Sequence, residues 1–290
     1  MSSKIDNKYI LQDFKLSDWI DSESRLLSKM REVFERDVKD DMYDVRREQI
    51  NFLTGRFNLD DKKKKELFST YYLNGDRSLI ADYLQSLTPA DKKIFDEIQP
   101  YRQRAFAEIT VKFNKQNLDA EPSIEISPTK DFVQDSDDYR SLPRQFASLP
   151  DNFLHDKNFV ELIVKIARYI KQKAPSALTL KFEFHVMRLL VRKDPKTNTP
   201  EGKHQDGADY IIMFIANRHN VEGGISQVFE KKGEDSFVLI KEKLLDAGQG
   251  LFMSDASSNL YHEVTPFSLV NKNEQGYRDL FGFDISIVKD

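Results

Sequence analysis

The carboxyl-terminal part of the chain contains a series of short β-rich segments that no helical segment interrupts. Most are rich in β-branched and aromatic residues, and glycines or short polar turns separate several of them. The segments lie at residues 178–191, 210–215, 225–229, 237–240, 251–253 and 280–288. Strands that follow one another without crossover helices pair in antiparallel fashion. The series therefore predicts an antiparallel sandwich or barrel.

The first 115 or so residues have a different pattern, in which apolar residues recur every three to four positions. Leu26 to Val38 supplies one such stripe, and the apolar residues between Ile94 and Phe113 are expected to supply one or two more. The run from Thr88 to Asp91 is a helix start, with a capping hydroxyl, a proline at the first helical position and an acid in the first turn. One further helix is expected at 158–174. The sequence predicts an α+β protein, with a helical amino-terminal region over 1–115 and a β-rich domain over 116–290.

Composition excludes several classes of protein. The formal net charge of −4 provides no long-range field that would favour nucleic acid or an anionic membrane. No apolar stretch is long enough to span a bilayer as a helix. Cysteine is absent, which excludes disulfides and thiolate metal sites and suits a reducing compartment. We therefore expect a cytoplasmic protein with neither nucleic acid nor membrane as its partner.

Two of the five histidines lie in positions that suggest a metal site. His204 and Asp206 are two residues apart, so both side chains project from one face if the backbone is extended there. His262 follows the short segment 251–253. Two histidines and one carboxylate can occupy one face of an octahedral ferrous ion and leave three positions open. An isolated His-x-Asp pair is more often an ordinary surface turn, so the prediction rests on the combination of all three residues.

Arg278 follows His262 by sixteen residues, just before the last β-rich segment. A cosubstrate such as 2-oxoglutarate uses its keto-acid end for the metal and leaves its far carboxylate for the protein. A guanidinium meets that carboxylate with two parallel hydrogen bonds. The alternative is an ordinary ion pair between Arg278 and Asp279 or another neighbour.

Four short motifs, in this order along the chain, resemble a known family. They are Pro200-Glu-Gly-Lys-His-Gln-Asp-Gly-Ala-Asp-Tyr210, Val221-Glu-Gly-Gly224, Tyr261-His-Glu-Val-Thr-Pro266 and Gly276-Tyr-Arg-Asp279. Over residues 130–290 the chain resembles the bacterial 2-oxoglutarate/iron dioxygenases that include L-isoleucine 4-hydroxylase. The helical residues before this part depart from the compact members of that family, which leaves the substrate open.

The resemblance implies a double-stranded β-helix, that is, a cupin-like jelly roll. It implies Fe(II) ligands at His204, Asp206 and His262, a 2-oxoglutarate anchor at Arg278, and dioxygen as the second cosubstrate. It also implies hydroxylation of a small substrate, most simply a free aliphatic L-amino acid. The carboxylate at Asp206 favours hydroxylation or another oxidation over halogenation, for which related enzymes have a small residue at this position.

Three further residues are candidates for substrate binding. Arg188 shares a strand face with Phe184 and Val186, where an arginine needs an anionic partner. That partner is either a substrate or cosubstrate carboxylate or a salt bridge at a sheet edge. Tyr210 and Tyr261 flank the predicted ligands, so they could orient them or line the pocket.

Other functions remain open at the level of the sequence. The chain could be a non-catalytic cupin-like binding module, or a hydroxylase of a peptide or carrier-bound amino acid. The amino-terminal helices have apolar stripes that require a partner. We expect them to pack against the β-rich domain, against a second subunit in a homodimer, or against both.

Overall fold

The structure, a computed structural model, describes residues 9–127, 131–134, 138–191, 202–234 and 236–289. The first two residues of the motif from Pro200 to Tyr210 lie outside these residues. The described strands are β1 Leu11–Lys15, β2 Lys39–Asp40, β3 Arg102–Lys112, β4 Ser123–Ser127, β5 Ala147–Ser148, β6 Thr179–Val191, β7 Tyr210–His219, β8 Val221–Gly223, β9 Ser226–Lys231, β10 Phe237–Lys243, β11 Gln249–Ser254, β12 Leu260–Val264, β13 Phe267–Leu269 and β14 Gly276–Val288.

The described helices are α1 Glu23–Arg36, α2 Met42–Phe57, α3 Asp61–Leu67, α4 Ala81–Ser86, α5 Pro89–Asp96, α6 Asp151–Leu154 and α7 Lys157–Lys173. Helix α5 begins as expected, because Thr88 is its N-cap and its hydroxyl accepts a hydrogen bond from the backbone N–H of Asp91 at 3.2 Å. None of the helices in these parts of the chain has the length and apolar character needed to cross a membrane.

A large sheet forms the centre of the molecule. Its strands have the order β1-β11-β7-β14-β6-β3-β2, with β4 and β5 also paired to β3. All of these pairs are antiparallel except that between β3 and β5. Two small antiparallel sheets, β10-β9-β12 and β13-β8, complete the β structure. The molecule is therefore a mixed helix and sheet protein built on a large antiparallel sheet.

One face of the large sheet packs against helices, and the other lines a cavity. Successive side chains of a strand point to opposite faces. In β6, Phe182, Phe184 and Val186 join the core beneath the helices, whereas His185 and Met187 line a cavity on the other side. Strand β12 of the small sheet lines the same cavity with His262, Glu263 and Val264. The large sheet thus separates the core beneath the helices from the cavity.

Helices α1 and α7 cover the first of these faces. Both have the apolar stripe that the sequence indicated, and its residues are fully or almost fully buried against the sheet. Helices α2 to α5 form a second, separate apolar cluster around Ile50, Leu53, Tyr72 and Phe95. The amino-terminal end of α2 brings Asp41 and Asp44 to the start of β3.

The helix expected up to Phe113 is wrong beyond α5. Residues Arg102–Lys112 form the long strand β3, which pairs along its whole length with β6. Phe106, Ile109 and Phe113 have helix-like spacing, but the segment also has a period of two. Its residues 105, 107, 109 and 111 join the core beneath the helices, whereas Arg102 and Arg104 line the cavity on the other side. Residues 9–115 are a mixture of helices and strands, and the predicted domain boundary falls just after a strand of the large sheet.

Deletion of residues 1–115 is expected to give insoluble protein or protein without a cooperative unfolding transition. It removes β1 and β3 from the large sheet, so that β11 and β6 become open edges. It also removes α1, which covers the apolar face. Solubility and thermal unfolding of the 116–290 fragment test this expectation. A soluble fragment that unfolds cooperatively at the temperature of the full chain would contradict it.

Candidate active site

Three side chains, His204, Asp206 and His262, meet at one side of the cavity. Nε2 of His204 is 3.4 Å from Oδ1 of Asp206, and Nε2 of His262 is 3.4 Å from Oδ2 of the same carboxylate. The ligand atoms of the three residues all lie within 4.8 Å of one another. Metal bonds of about 2.1 Å at right angles place neighbouring ligand atoms ~3 Å apart. The arrangement therefore fits the two-histidine, one-carboxylate face of an octahedral metal ion.

Backbone pairing holds the two histidines side by side. His204 and His262 form an antiparallel bridge, in which each backbone N–H donates to the other's carbonyl at 3.1 and 3.0 Å. His262 itself lies on β12, opposite Val228 of β9. Two residues distant in the sequence thus become direct neighbours only through pairing of their backbones.

The loop that bears Asp206 is fixed by a buried carboxylate that the sequence did not indicate. Oδ2 of Asp255 accepts the backbone N–H groups of Asp206 and Gly207 at 2.9 and 2.7 Å. Burial and the charge of Asp206 raise the pKa of Asp255 to about 7. Gly207 has a φ of 98°, a conformation that favours glycine. Asp255 is therefore a positioning residue for the Asp206 loop.

Electrostatics favour the protonation states that a metal ion needs. The second ring nitrogen of His204, Nδ1, lies 2.9 Å from the carbonyl of Gly202, so it is the nitrogen that carries hydrogen and Nε2 is left as the ligand. Burial opposes ionisation of Asp206, but the adjacent imidazoles of His204 and His262 outweigh this effect and lower the pKa of the carboxyl. Both features suit metal coordination.

Arg278 is buried in the same cavity without a carboxylate partner among the described residues. Only 1% of its surface is exposed. Its Nη2 makes one long contact of 3.5 Å to Oγ of Ser226, and its Nε has no partner in the described part of the chain. Burial, together with the nearby charge of Arg218, lowers the pKa of Arg278 to about 9. A guanidinium in this state is built to bind an anion.

The cavity that joins these groups has a volume of about 120 Å³. Apolar side chains from β6, β7 and β14 form much of its wall, among them Met187, Leu189, Ile211, Met213 and Leu280. The arrangement of a few polar groups on an apolar wall is typical of a small-molecule site.

A sequence profile of the 2OG-Fe dioxygenase family matches residues 49–284, well over half of the chain. The chain belongs to this family. It is therefore a 2-oxoglutarate-dependent dioxygenase, which uses Fe(II), 2-oxoglutarate and dioxygen and acts on a small molecule. The large antiparallel sheet is consistent with the cupin-like fold of the family.

Two solved structures align with this dioxygenase. A bsmA homolog from Methylobium petroleophilum PM1 aligns with a TM-score of 0.53 and 20% identity, over 64% of this chain and 71% of that protein, and this likeness concerns the fold alone. IDO from Bacillus thuringiensis aligns over 96% of this chain and 93% of its own, with a TM-score of 0.49 and 14% identity. Among curated protein sequences, no significant match was found.

Arg188 does not lie in the cavity of the dioxygenase. It projects to the helix-covered face of β6, where Nε and Nη2 donate to Asp279 at 2.7 and 3.0 Å. Nη2 also donates to Glu35 of α1 at 2.8 Å. A role of Arg188 in binding substrate is therefore wrong, and of the two alternatives the structure has the salt bridge.

The two predicted tyrosines also face away from the metal ligands. Tyr210 packs at the edge of the core beneath the helices, near Phe252. The ring of Tyr261 lies 5.0 Å from that of Phe237 on the small sheet. In each case the neighbouring residue, Ile211 or His262, is the one that lines the cavity. Proximity in sequence to a ligand did not place either ring in the site, because adjacent strand residues point to opposite faces.

The cavity contains further polar side chains that the sequence did not indicate, among them Arg102, Arg104, His185 and Asp284. The two arginines fall in the segment expected to be helical. His185 lies outside the four motifs that resemble the family. The one signal that could have found them is their spacing of two along strands β3, β6 and β14, which places them on the face shared with Met187 and Arg278.

Proposed function

We propose that this dioxygenase hydroxylates a free aliphatic L-amino acid. The observation that carries the proposal is the cavity, which combines the predicted metal ligands and a buried arginine with an apolar wall in about 120 Å³. Its aliphatic wall, with a few polar groups, suits the side chain of a small aliphatic molecule. The motif resemblance to amino-acid hydroxylases supports the same substrate class.

The residues of this chain have separate tasks in the proposed reaction. His204, Asp206 and His262 would hold Fe(II), and Arg278 would bind the far carboxylate of 2-oxoglutarate. When bound, Fe(II) and 2-oxoglutarate supply the oxidising chemistry that inserts one oxygen atom of dioxygen into a C–H bond, with release of succinate and carbon dioxide. The protein contributes orientation and the apolar wall against which the substrate lies.

The test is a screen of free L-amino acids with the Fe(II)-loaded protein, 2-oxoglutarate and dioxygen. The expected product has gained the mass of one oxygen atom, and succinate forms in equal amount. An uncoupled background, measured without amino acid, serves as the control. If succinate is formed but no free amino acid gains oxygen, the substrate class is wrong and peptide or carrier-bound amino acids are to be screened instead.

Gly282 provides a separate test that the cavity holds the substrate. It lies on β14 between His185 of β6 and Met213 of β7 and faces the cavity. A glycine inside a strand weakens it and often marks the close approach of a ligand. A Cβ at this position would have the carbonyl oxygen of Ile212 as its nearest described neighbour, at 3.7 Å, so larger residues fit the fold but enter the cavity.

Gly282→Ala is expected to stabilise the fold by about 0.5 kcal/mol, while Gly282→Val lowers kcat/KM for the amino acid by about tenfold or more. Thermal unfolding and steady-state kinetics measure the two effects. The matched control is Gly55→Ala on helix α2, where a Cβ meets nothing within 4 Å, so that stability should rise without any change in activity. Unchanged turnover in Gly282→Val would show that the substrate binds elsewhere.

The cytoplasmic location and a homodimer through the amino-terminal helices stay predictions. Sedimentation of the purified protein tests the second. A monomer at micromolar concentration would contradict it.

A further inference from the structure

The wall of the cavity formed by β3 has two buried arginines in addition to Arg278. Arg102 and Arg104 are two residues apart, so both side chains lie on the cavity side of the strand. In the register of the sheet Arg102 is opposite Leu189, and Leu189 is opposite Arg278 on β14. Two inter-strand spacings, roughly 10 Å, therefore separate Arg102 from Arg278. Basic side chains thus lie on two sides of the cavity, Arg278 on β14 and the two arginines on β3. Binding of 2-oxoglutarate at Arg278 explains the first of these sides and leaves the arginines of β3 without an assigned ligand.

The two arginines of β3 differ in how their charge is balanced. Nε and Nη2 of Arg102 donate to both oxygens of Asp44, at 2.5 and 2.6 Å. Arg104 has no such hydrogen-bonded carboxylate in the described ranges, since Oδ2 of Asp41 is 3.8 Å from its Nη1. Its guanidinium lies 4.2 Å from the ring centroid of Phe146 and is 7% exposed. Burial, followed by the charge of Arg102, lowers the pKa of Arg104.

A neutral histidine holds Arg104 towards the cavity. Nη2 of Arg104 is 3.3 Å from Nδ1 of His185. A guanidinium only donates hydrogen bonds, so Nδ1 accepts and the ring hydrogen is on Nε2. Nε2 is 3.3 Å from Oδ2 of Asp284 on β14. Burial and the charge of Arg104 lower the pKa of His185 well below its usual value, so the ring is neutral. The cavity wall thus presents a cation on β3 and an acid on β14, with an uncharged spacer between them.

We propose that Arg104 binds the carboxylate of the primary substrate, which rests on the proposed function of amino-acid hydroxylation. A carboxylate at this position gives the buried guanidinium the hydrogen-bonded anion that the described chain does not supply. On the other side of His185, burial and the charge of Asp206 raise the pKa of Asp284 well above its usual value. The ammonium group of the same amino acid would supply the cation that favours the ionised form of this carboxyl. The aliphatic side chain then lies along the apolar wall beside Gly282. In this arrangement Arg104 binds the carboxylate of the substrate, and Arg278 binds the far carboxylate of 2-oxoglutarate.

The experiment compares amino acids with their amides, in which the carboxylate is replaced by a neutral group of similar shape. Full-length protein loaded with Fe(II) and saturated with 2-oxoglutarate is titrated in the absence of oxygen by calorimetry. The probes are L-valine, L-leucine, L-isoleucine and L-norleucine, each beside its amide. Wild type is expected to prefer the acid by about tenfold to hundredfold, and Arg104→Met to lose this preference while it binds the amide as before. Arg104→Lys should retain part of the preference, because it keeps the charge but not the planar fork.

Melting temperature and affinity for 2-oxoglutarate, measured on the same samples, show whether the variants keep the fold and the cosubstrate site. An Arg104→Met protein that still prefers the acid overturns the assignment of Arg104 and leaves the proposed function standing. A loss of 2-oxoglutarate affinity in this variant overturns it as well, because Arg104 would then bind the cosubstrate. If the wild-type protein binds none of the probes although it binds 2-oxoglutarate, the proposed substrate class and the assignment are both wrong.

Discussion

Replacement of Asp206 by alanine is expected to abolish turnover of 2-oxoglutarate, and His204→Ala and His262→Ala should do the same. Each change removes one of the three ligand atoms that the structure places within 4.8 Å of one another. Loss of residues that merely support metal ligands costs about tenfold to hundredfold in metal affinity or activity, so loss of a ligand should exceed this. Iron content after gel filtration and succinate formation measure the effect.

Thermal unfolding separates a metal site from a structural cluster. A metal ion that binds the folded state raises the melting temperature by mass action. Fe(II) should therefore stabilise the wild-type protein by several degrees and leave Asp206→Ala unchanged. The metal-free variant should melt within a few degrees of the wild type, since its loop is held through backbone N–H groups that the substitution keeps. The control is His219→Ala, an exposed histidine on β7, which should retain iron and activity. A ligand variant with native iron content would refute the assignment.

Arg278→Met is expected to raise the apparent KM for 2-oxoglutarate by about tenfold to hundredfold and to change that for the amino acid much less. The loss of a charge-assisted pair in a buried site has this magnitude. The apparent KM of Arg278→Lys for 2-oxoglutarate should lie between those of the wild type and Arg278→Met, because a lysine supplies the charge without two parallel hydrogen bonds. Steady-state kinetics with each substrate varied in turn gives the comparison. Equal effects on both substrates would place Arg278 in the general structure.

The same substitution, which weakens binding of 2-oxoglutarate, is expected to keep or raise the thermal stability of the ligand-free protein. In the ligand-free protein the guanidinium of Arg278 is buried without a carboxylate partner among the described residues. Removing an uncompensated buried charge costs little and can stabilise the fold. The ligand-free Arg278→Met protein should melt at or above the temperature of the wild type, and 2-oxoglutarate should shift its melting temperature less. A structural arginine would show the reverse, with a lower melting temperature.

Local pattern was sufficient to predict several elements and the chemistry of the site. The apolar stripes of α1 and α7, the cap at Thr88 and the β-rich runs that became β6, β7, β9, β10, β11 and β14 all depend on neighbours a few residues apart. The candidate metal ligands could be selected because the chemistry of iron restricts which residue types can serve and the motifs have a characteristic order. The structure brings these three side chains together through the bridge between His204 and His262.

Only the tertiary structure decided which side of each strand faces the site. Alternation along β6 showed that Arg188 belongs with Phe184 and Val186, but a period of two does not say which set faces the helices. That depends on α1 and α7, which cover one face and leave His185 and Met187 to the cavity. Strand β3 was missed for a related reason. Its residues from Arg104 to Lys112 follow a period of two, but Phe106 interrupts the alternation of polar and apolar residues and shares a helix-like spacing with Ile109 and Phe113. Pairing with β6 decided between the two patterns and brought the arginines of β3 to the site.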